Sequence, residues 1–264
     1  VDRKLFTLAV SSFAVHGTAS LKTFIKILGH RILPVPSKIL NGLTNMALVK
    51  PFDPPFEELL TSSLELAVNK NIDLIMYIGY LGREEQADII LAALEKYQDI
   101  IKAVIVDPVS GDNGRVYVPE TVIRKWPALI KKANIVFPNI TELKIHTGHA
   151  ATENGSSAFY IEKFRERYPD ATLVAKSIAA DEHSIGVEVA GDVNFAYALP
   201  KLAKSYGGSG DLFLSQFILH HYFKLEPFET AIKNAMEETH ALISHSVAEG
   251  SDDLLLDFAT LPLI

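Results

Sequence analysis

The sequence contains no cysteine, one tryptophan and three methionines among its 264 residues. The missing thiol excludes disulfide staples, thiolate metal sites and a cysteine nucleophile. Positive charge is also scarce: 25 Lys and Arg stand against 32 Asp and Glu, a formal charge of −7. A chain of that sign lacks the concentrated basic surface needed for nucleic acid or an anionic membrane, so neither is an expected partner. No apolar run reaches the roughly 18 residues of a membrane span. The opening Val1-Asp2-Arg3-Lys4 lacks the apolar run of a signal peptide. A cytoplasmic location is the expectation. There is no internal repeat, low-complexity tract or Gly/Ser-rich linker, and the stiff PFDPP run at 51–55 is too short to divide domains. One domain over 1–264 is expected.

Hydrophobic residues make up 48% of the chain, arranged as short apolar runs alternating with helical spacing. The patterns predict strands at 5–10, 31–35, 74–78, 103–106, 135–137 and 172–175. They predict helices at 18–28, 56–68, 84–97, 120–132 and 158–168. Gly29 would stop the first helix, Pro34 and Pro36 would close the second strand, and Pro119 would start the fourth helix. Such regular alternation predicts right-handed crossovers and a mostly parallel central sheet between helical layers, a three-layer α/β/α fold. The pattern then changes. Segments 184–190 and 193–199 read as a hairpin turning at Gly191-Asp192, and helices at 211–223 and 227–247 follow.

Three clusters could carry chemistry. Ser205-Tyr206-Gly207-Gly208-Ser209-Gly210-Asp211 runs into the apolar helix beginning Leu212-Phe213-Leu214. Gly208, Ser209 and Gly210 can expose N–H groups at a helix N-terminus, which favours an anion. Asp211, in the first turn, could then serve as base for a hydroxyl beside that anion. The competing reading is a plain loop with Asp211 as a cap. Asp107-Pro108-Val109-Ser110-Gly111-Asp112 ends a central strand, where open α/β sheets bind ligands. Its two acids could hold Mg²⁺, or the segment is a polar turn. Pro138-Asn139-Ile140-Thr141-Glu142 follows the next strand, and capping of a short helix is its simplest role. That all three fall on one expected edge favours a shared site. His220, His221, His240 and His245 have the wrong spacing for ligands on one helical face and read as structural. Trp126 and Phe213 read as core.

In this order the segments resemble the pyridoxal and pyridoxamine kinases of the ribokinase-like superfamily. DPVSGDNGRVYVPE at 107–120 is similar to their DPVMGDNGKLYVPE, PNITE at 138–142 to PNxxE, GGSGD at 207–211 to GTGD, and YIGYLG at 77–82 to YTGYLG. Val10-Ser11-Ser12 resembles the segment that touches the pyridine ring. The likeness runs from Leu5 to about Asp257. It implies ATP-dependent phosphorylation of the 5′-hydroxymethyl group of a B6 vitamer, with Mg²⁺ and a monovalent cation such as K⁺ as cofactors, by a homodimer. Asp211 would be the base, with Gly208, Ser209 and Gly210 the anion hole. Asp107 and Glu142 would arrange Mg²⁺. Asp112 and Asn139 would lie near the nucleotide phosphates, and Tyr117 in a flap over them. Ser12, Tyr80 and, in the pocket-lining segment, Thr44 would meet the vitamer.

The chain also departs from that family. Lys38 to Asn45 stands where a Thr-His-Thr-Gly run is usual, and Lys176-Ser177 where a threonine contacts ATP. Loop 13–20 lacks a second glycine. Lys176 could pair with a phosphate as a point charge, or be a solvated surface lysine. Hydroxymethylpyrimidine kinase is the alternative activity, a sugar kinase a more distant one. A catalytically weak B6-binding or regulatory protein is the alternative outside catalysis.

Overall fold

The computed structural model describes residues 3–43, 46 and 48–256. In chain order its elements are β1 (Lys4–Ala14), α1 (Leu21–Leu28), β2 (Ile32–Leu40), β3 (Pro51–Phe52), α2 (Phe56–Asn69), β4 (Ile72–Ile78) and α3 (Glu85–Lys96). Then come β5 (Ile101–Val106), β6 (Gly111–Asp112), β7 (Arg115–Val116), α4 (Glu120–Ile123), α5 (Trp126–Ile130), β8 (Ile135–Val136), α6 (Ile140–His146) and α7 (Ser157–Arg167). The chain closes with β9 (Thr172–Ala179), β10 (Ser184–Ala190), β11 (Phe195–Pro200), α8 (Ser209–Ile218) and α9 (Phe228–Ala248).

Among the described residues nine strands form one sheet in the order β11-β10-β9-β8-β5-β4-β1-β2-β3, while β6 and β7 make a separate hairpin. Pairs from β2 across to β9 are parallel, and the two outer pairings with β10 and β11 are antiparallel. Strand residues alternate between two buried faces. Leu8, Val10, Leu74, Met76 and Ile78 pack with α2, α3, α5 and α7. Ala9, Ile75, Tyr77 and Ile105 pack with α1, α8 and α9. Covering both faces explains why the inner strands read as unbroken apolar runs. The three-layer α/β/α expectation is met, and Trp126 and Phe213 are both core. No helix among the described residues is long and apolar enough to cross a membrane.

Several elements differ from the sequence reading. Pro34 and Pro36 do not close β2, which runs on to Leu40. Among the described residues they pair with β1 alone, and β3 reaches no further than Ile39 and Leu40, which suits residues that have no N–H to give to a second neighbour. The single helix expected over 120–132 is two short ones, α4 and α5. Pro127 cannot donate to the turn before it and breaks the ladder. The hairpin's last pair is Val189 with Phe195, so five residues rather than two make its turn. The helix expected from 18 begins at Leu21, because Ser20 is held at φ 50. The helix expected over 211–223 begins at Ser209 and gives way after Ile218 to a π-helical turn, Leu219–Phe223.

Candidate active site

Parallel strands bring their carboxyl ends to one edge, and the candidate residues spread along it in spatial order. Lys176 lies in β9 and bridges to Asn139 just past β8. Asp107 follows β5, Tyr80 follows β4, and Ser12 lies near the end of β1. Residues expected on the nucleotide thus occupy one end and those expected on the vitamer the other. Asp107 lies between them.

Helix α8 meets this edge with its N-terminus. Gly208 is its N-cap in the left-handed region, φ 87. A Cβ there would come within 2.8 Å of the Thr18 carbonyl oxygen and 2.9 Å of Ala19 Cα, so the turn requires glycine. Asp211 does not cap its own helix. Its Oδ2 accepts the Ser20 N–H at 2.9 Å. Burial and the nearby Asp107 push its carboxyl up to about 6, against the opposing pull of the Ser20 N–H and Lys176.

Asp107 and Lys176 form a buried ion pair, Nζ to Oδ2 2.6 Å. Burial disfavours the Lys176 charge, but the Asp107 and Glu142 carboxylates outweigh it and hold the ammonium above an ordinary lysine. For Asp107 burial is the larger influence and raises its carboxyl, with Lys176 pulling the other way. The solvated-lysine alternative is thereby excluded, since Lys176 is 9% exposed. Asp107 Oδ1 is buried without a hydrogen-bond partner among the described residues.

Glu142 and Asn139 form a capping box at the start of α6. Asn139 Oδ1 accepts the Glu142 N–H at 3.0 Å, and Glu142 Oε2 accepts the Asn139 N–H at 2.9 Å. Oε1 of Glu142 accepts the Ser110 N–H at 3.1 Å, tying α6 to the turn after β5. Burial and Asp107 push this carboxyl up to about 8, while Lys176 and the two N–H groups pull it down. The same helix start anchors the β6–β7 hairpin. Asn139 Nδ2 donates to the Gly111 carbonyl at 2.9 Å, and Thr141 Oγ1 accepts the Gly114 N–H at 3.0 Å. Asp112 and Tyr117 are exposed on and just after that hairpin, with Asp112 bonded to Asn113. Ser177 is exposed, at φ 57, an unusual conformation for a residue with a side chain.

At the other end, Ser12 Oγ bonds Ser20 Oγ at 2.8 Å, and Tyr80 is half-buried with its N–H on Ser11 Oγ at 3.3 Å. Ser37 Oγ donates to the Tyr80 carbonyl at 2.5 Å. Thr44, and Asn45 beside it, lie outside the described residues. Asn41 is spent on its own loop, accepting from Lys50 N and donating to Leu48 O.

Two residues at this edge were not singled out from sequence. Ser20, at φ 50, joins Ser12 to Asp211. Its only signal was the glycine missing from loop 13–20. His146 is buried one turn after Glu142, its Nε2 3.2 Å from Ser110 Oγ and 3.4 Å from the Pro108 carbonyl. Burial lowers its pKa to about 4, so it is neutral. Its spacing of four from Glu142 on one helix face was legible.

A parallel sheet sandwiched by helices, with an aspartate behind a glycine-rich helix start, is the architecture of ribokinase-like small-molecule kinases. The fold matches the crystal structure of pyridoxal kinase from Entamoeba histolytica at TM-score 0.83 and 22% identity, over 95% of this chain and 92% of that one. It matches pyridoxal kinase from Leishmania donovani in complex with ADP and pyridoxamine at TM-score 0.81 and 22% identity, over 96% and 90%. A protein of Schizosaccharomyces pombe provisionally named a pyridoxal kinase is 24% identical over 225 residues, 81% of this chain and 72% of that protein. The family model described as phosphomethylpyrimidine kinase matches residues 38–256, and the chain belongs to that family.

Proposed function

We propose that this chain is an ATP-dependent kinase that phosphorylates the 5′-hydroxymethyl group of a B6 vitamer. The observation that carries the reading is Asp211, held by a backbone N–H at the first turn of a helix whose glycine-rich start faces the same edge. Its Oδ2 is occupied by Ser20, and Oδ1 is left to take a proton. The vitamer's hydroxymethyl oxygen attacks the γ-phosphorus. Its proton passes to Asp211, and the bond to the β-phosphate oxygen breaks to release ADP. Charge developing on the transferred group would meet the N–H groups around Gly208, Ser209 and Gly210, with Lys176 behind them.

Among the described residues no group of three or more His, Cys, Asp or Glu side chains is placed to hold a metal. Mg²⁺ often takes one or two carboxylates and completes its shell with water and phosphate oxygens. The unpartnered Asp107 Oδ1 fits that pattern as a hard oxygen donor. Both Glu142 oxygens already accept backbone N–H groups, so its part would be to shape the Ser110 turn. When bound, Mg²⁺ supplies charge neutralisation on the phosphates.

Asn139, Asp112, Tyr117 and Ser177 support the nucleotide end by position; Ser12 and Tyr80 support the ring end. The deciding experiment is a turnover panel of pyridoxal, pyridoxamine, pyridoxine and hydroxymethylpyrimidine with Mg-ATP. With no cysteine to trap an aldehyde, pyridoxamine or pyridoxine should match or exceed pyridoxal in kcat/KM. The family match favours hydroxymethylpyrimidine as the second reading. Turnover of that substrate with none of the vitamers would replace the first. Tight vitamer binding without turnover of any substrate would favour a binding or regulatory protein.

A further inference from the structure

We infer that His146 is a positioning residue for the nucleotide: through Ser110 it fastens the β6–β7 hairpin to α6 before ATP arrives, and so lowers the KM for ATP. The inference rests on the kinase reading above. Ser110 and His146 are 0% and 2% exposed. In the DPVMGDNGKLYVPE segment that 107–120 resembles, Met stands at the position of Ser110, so this chain carries a hydroxyl where the resembling family has an apolar side chain. A buried hydroxyl costs stability unless it is bonded, and here the imidazole meets it. Ser110 Oγ donates to the Pro108 carbonyl at 2.8 Å and lies 3.2 Å from His146 Nε2; that nitrogen is 3.4 Å from the same carbonyl. A carbonyl can only accept. With the hydroxyl hydrogen on Pro108, the one proton of the neutral imidazole therefore falls on Nε2, shared between Ser110 Oγ and the Pro108 carbonyl.

The main chain of Ser110 is where the hairpin closes. Its carbonyl accepts the Tyr117 N–H at 3.2 Å and the Val118 N–H at 3.4 Å, while its own N–H is held by Glu142. Helix α6 and its cap grip the same hairpin at two further points, Asn139 on Gly111 and Thr141 on Gly114. His146, one turn beyond Glu142, adds a grip at the base. The end of α6 is itself held, since the His146 carbonyl accepts from Arg167 Nη1 at 2.9 Å. Asp107 has anchors of its own: its N–H on the Ile78 carbonyl at 2.9 Å and its carboxylate on Lys176. Loss of the imidazole therefore loosens Asp112 and Tyr117 at the nucleotide end, and leaves Asp107, Asp211 and the ring end in place.

The test compares wild type with His146→Leu, His146→Gln, Ser110→Ala and the double variant His146→Leu with Ser110→Ala. Leu fills most of the imidazole's volume and leaves the Ser110 hydroxyl its bond to Pro108. Gln restores an N–H donor of similar reach. In vitamer phosphorylation with Mg-ATP, His146→Leu should raise the KM for ATP about three- to ten-fold, the scale of one hydrogen bond. Its kcat and its KM for the vitamer should stay within about two-fold, the mark of lost ground-state binding of one substrate. His146→Gln should recover most of the increase. The double variant should lose no more than the larger single loss, because both changes act through one contact. Amide hydrogen exchange of the ligand-free protein reads the hairpin directly: the Tyr117 and Val118 N–H groups should exchange about three- to ten-fold faster in His146→Leu, well beyond any change in β4 and β5. An unchanged KM for ATP, an equal fall in kcat, or additive single effects would overturn the inference. So would exchange that rises alike in the hairpin, β4 and β5, since that marks general destabilisation. If the wild type phosphorylates no substrate, the kinase reading fails separately. Hydrogen exchange still decides whether His146 fastens the hairpin, and unchanged Tyr117 and Val118 rates sink it.

Discussion

The Ser20 N–H donates to Asp211 Oδ2 at 2.9 Å across 191 residues of chain. Ser20 achieves this at φ 50, ψ −136, a conformation that costs a residue with a side chain about 1–3 kcal/mol. That strain fixes one oxygen of the proposed base and leaves the other for substrate. Asp211→Asn keeps an oxygen that can accept the same N–H. We expect kcat to fall by about 10²- to 10⁴-fold, the range for loss of a general base. Steady-state kinetics on the purified variant will show it, and a kcat near wild type would remove Asp211 from the role.

The same substitution should not cost stability at neutral pH. Asp211 has a folded pKa of about 6, raised from 3.8. The fold therefore binds its proton more tightly than the unfolded chain does, and ionisation above that pKa works against the fold. Asp211→Asn removes the penalty, so its melting temperature at pH 8 should equal or exceed wild type's. A variant clearly less stable at pH 8 contradicts the argument.

Catalysis should carry the opposite signature. A base is active only when ionised, so kcat should fall about ten-fold per pH unit as pH drops below about 6. A profile flat down to pH 5 would mean that Asp211 does not titrate in the rate-limiting step.

Turnover should stop in excess EDTA, because ATP phosphates need a divalent ion to offset their charge. Glu142→Gln should raise the Mg²⁺ concentration for half-maximal rate. It should also lower stability by about 1–3 kcal/mol, since an amide offers one acceptor where Glu142 satisfies two backbone N–H groups. Unchanged Mg²⁺ dependence together with unchanged melting would show that neither bond matters.

His220, buried in the π-helical turn after α8, lies between two carboxylates, Nδ1 2.9 Å from Glu226 and Nε2 3.1 Å from Glu238. Burial opposes its charge, but those two partners raise its pKa above 6.5. A raised histidine contributes stability that is full below the unfolded pKa of about 6.5 and is lost as pH climbs through the folded value. His220→Gln should therefore lower the melting temperature more at pH 6 than at pH 9. Equal losses at both would assign His220 to packing alone.

The alternating apolar runs and the clusters at 107–112, 138–142 and 205–211 set by themselves the parallel sheet, its helical layers and the edge on which the candidate residues gather. Those signals are local: period two in strands, 3.6 in helices, and capping residues within a turn of the helix they cap. The break at Pro127 was equally local, because a missing N–H interrupts a helix wherever it falls. Other features depended on chain segments meeting in space. Whether Pro34 and Pro36 end a strand depends on which edge of β2 lies open. No sequence window contains both Ser20 and Asp211, or both Lys176 and Asp107, which are 69 residues apart. Lys176 read equally well as a surface lysine until the sheet order put β9 beside β8 and one strand from β5, burying its ammonium against Asp107. A residue's charge is written in the sequence, but the dielectric around it and the partner it meets are fixed only by packing, and these decide what that charge can do.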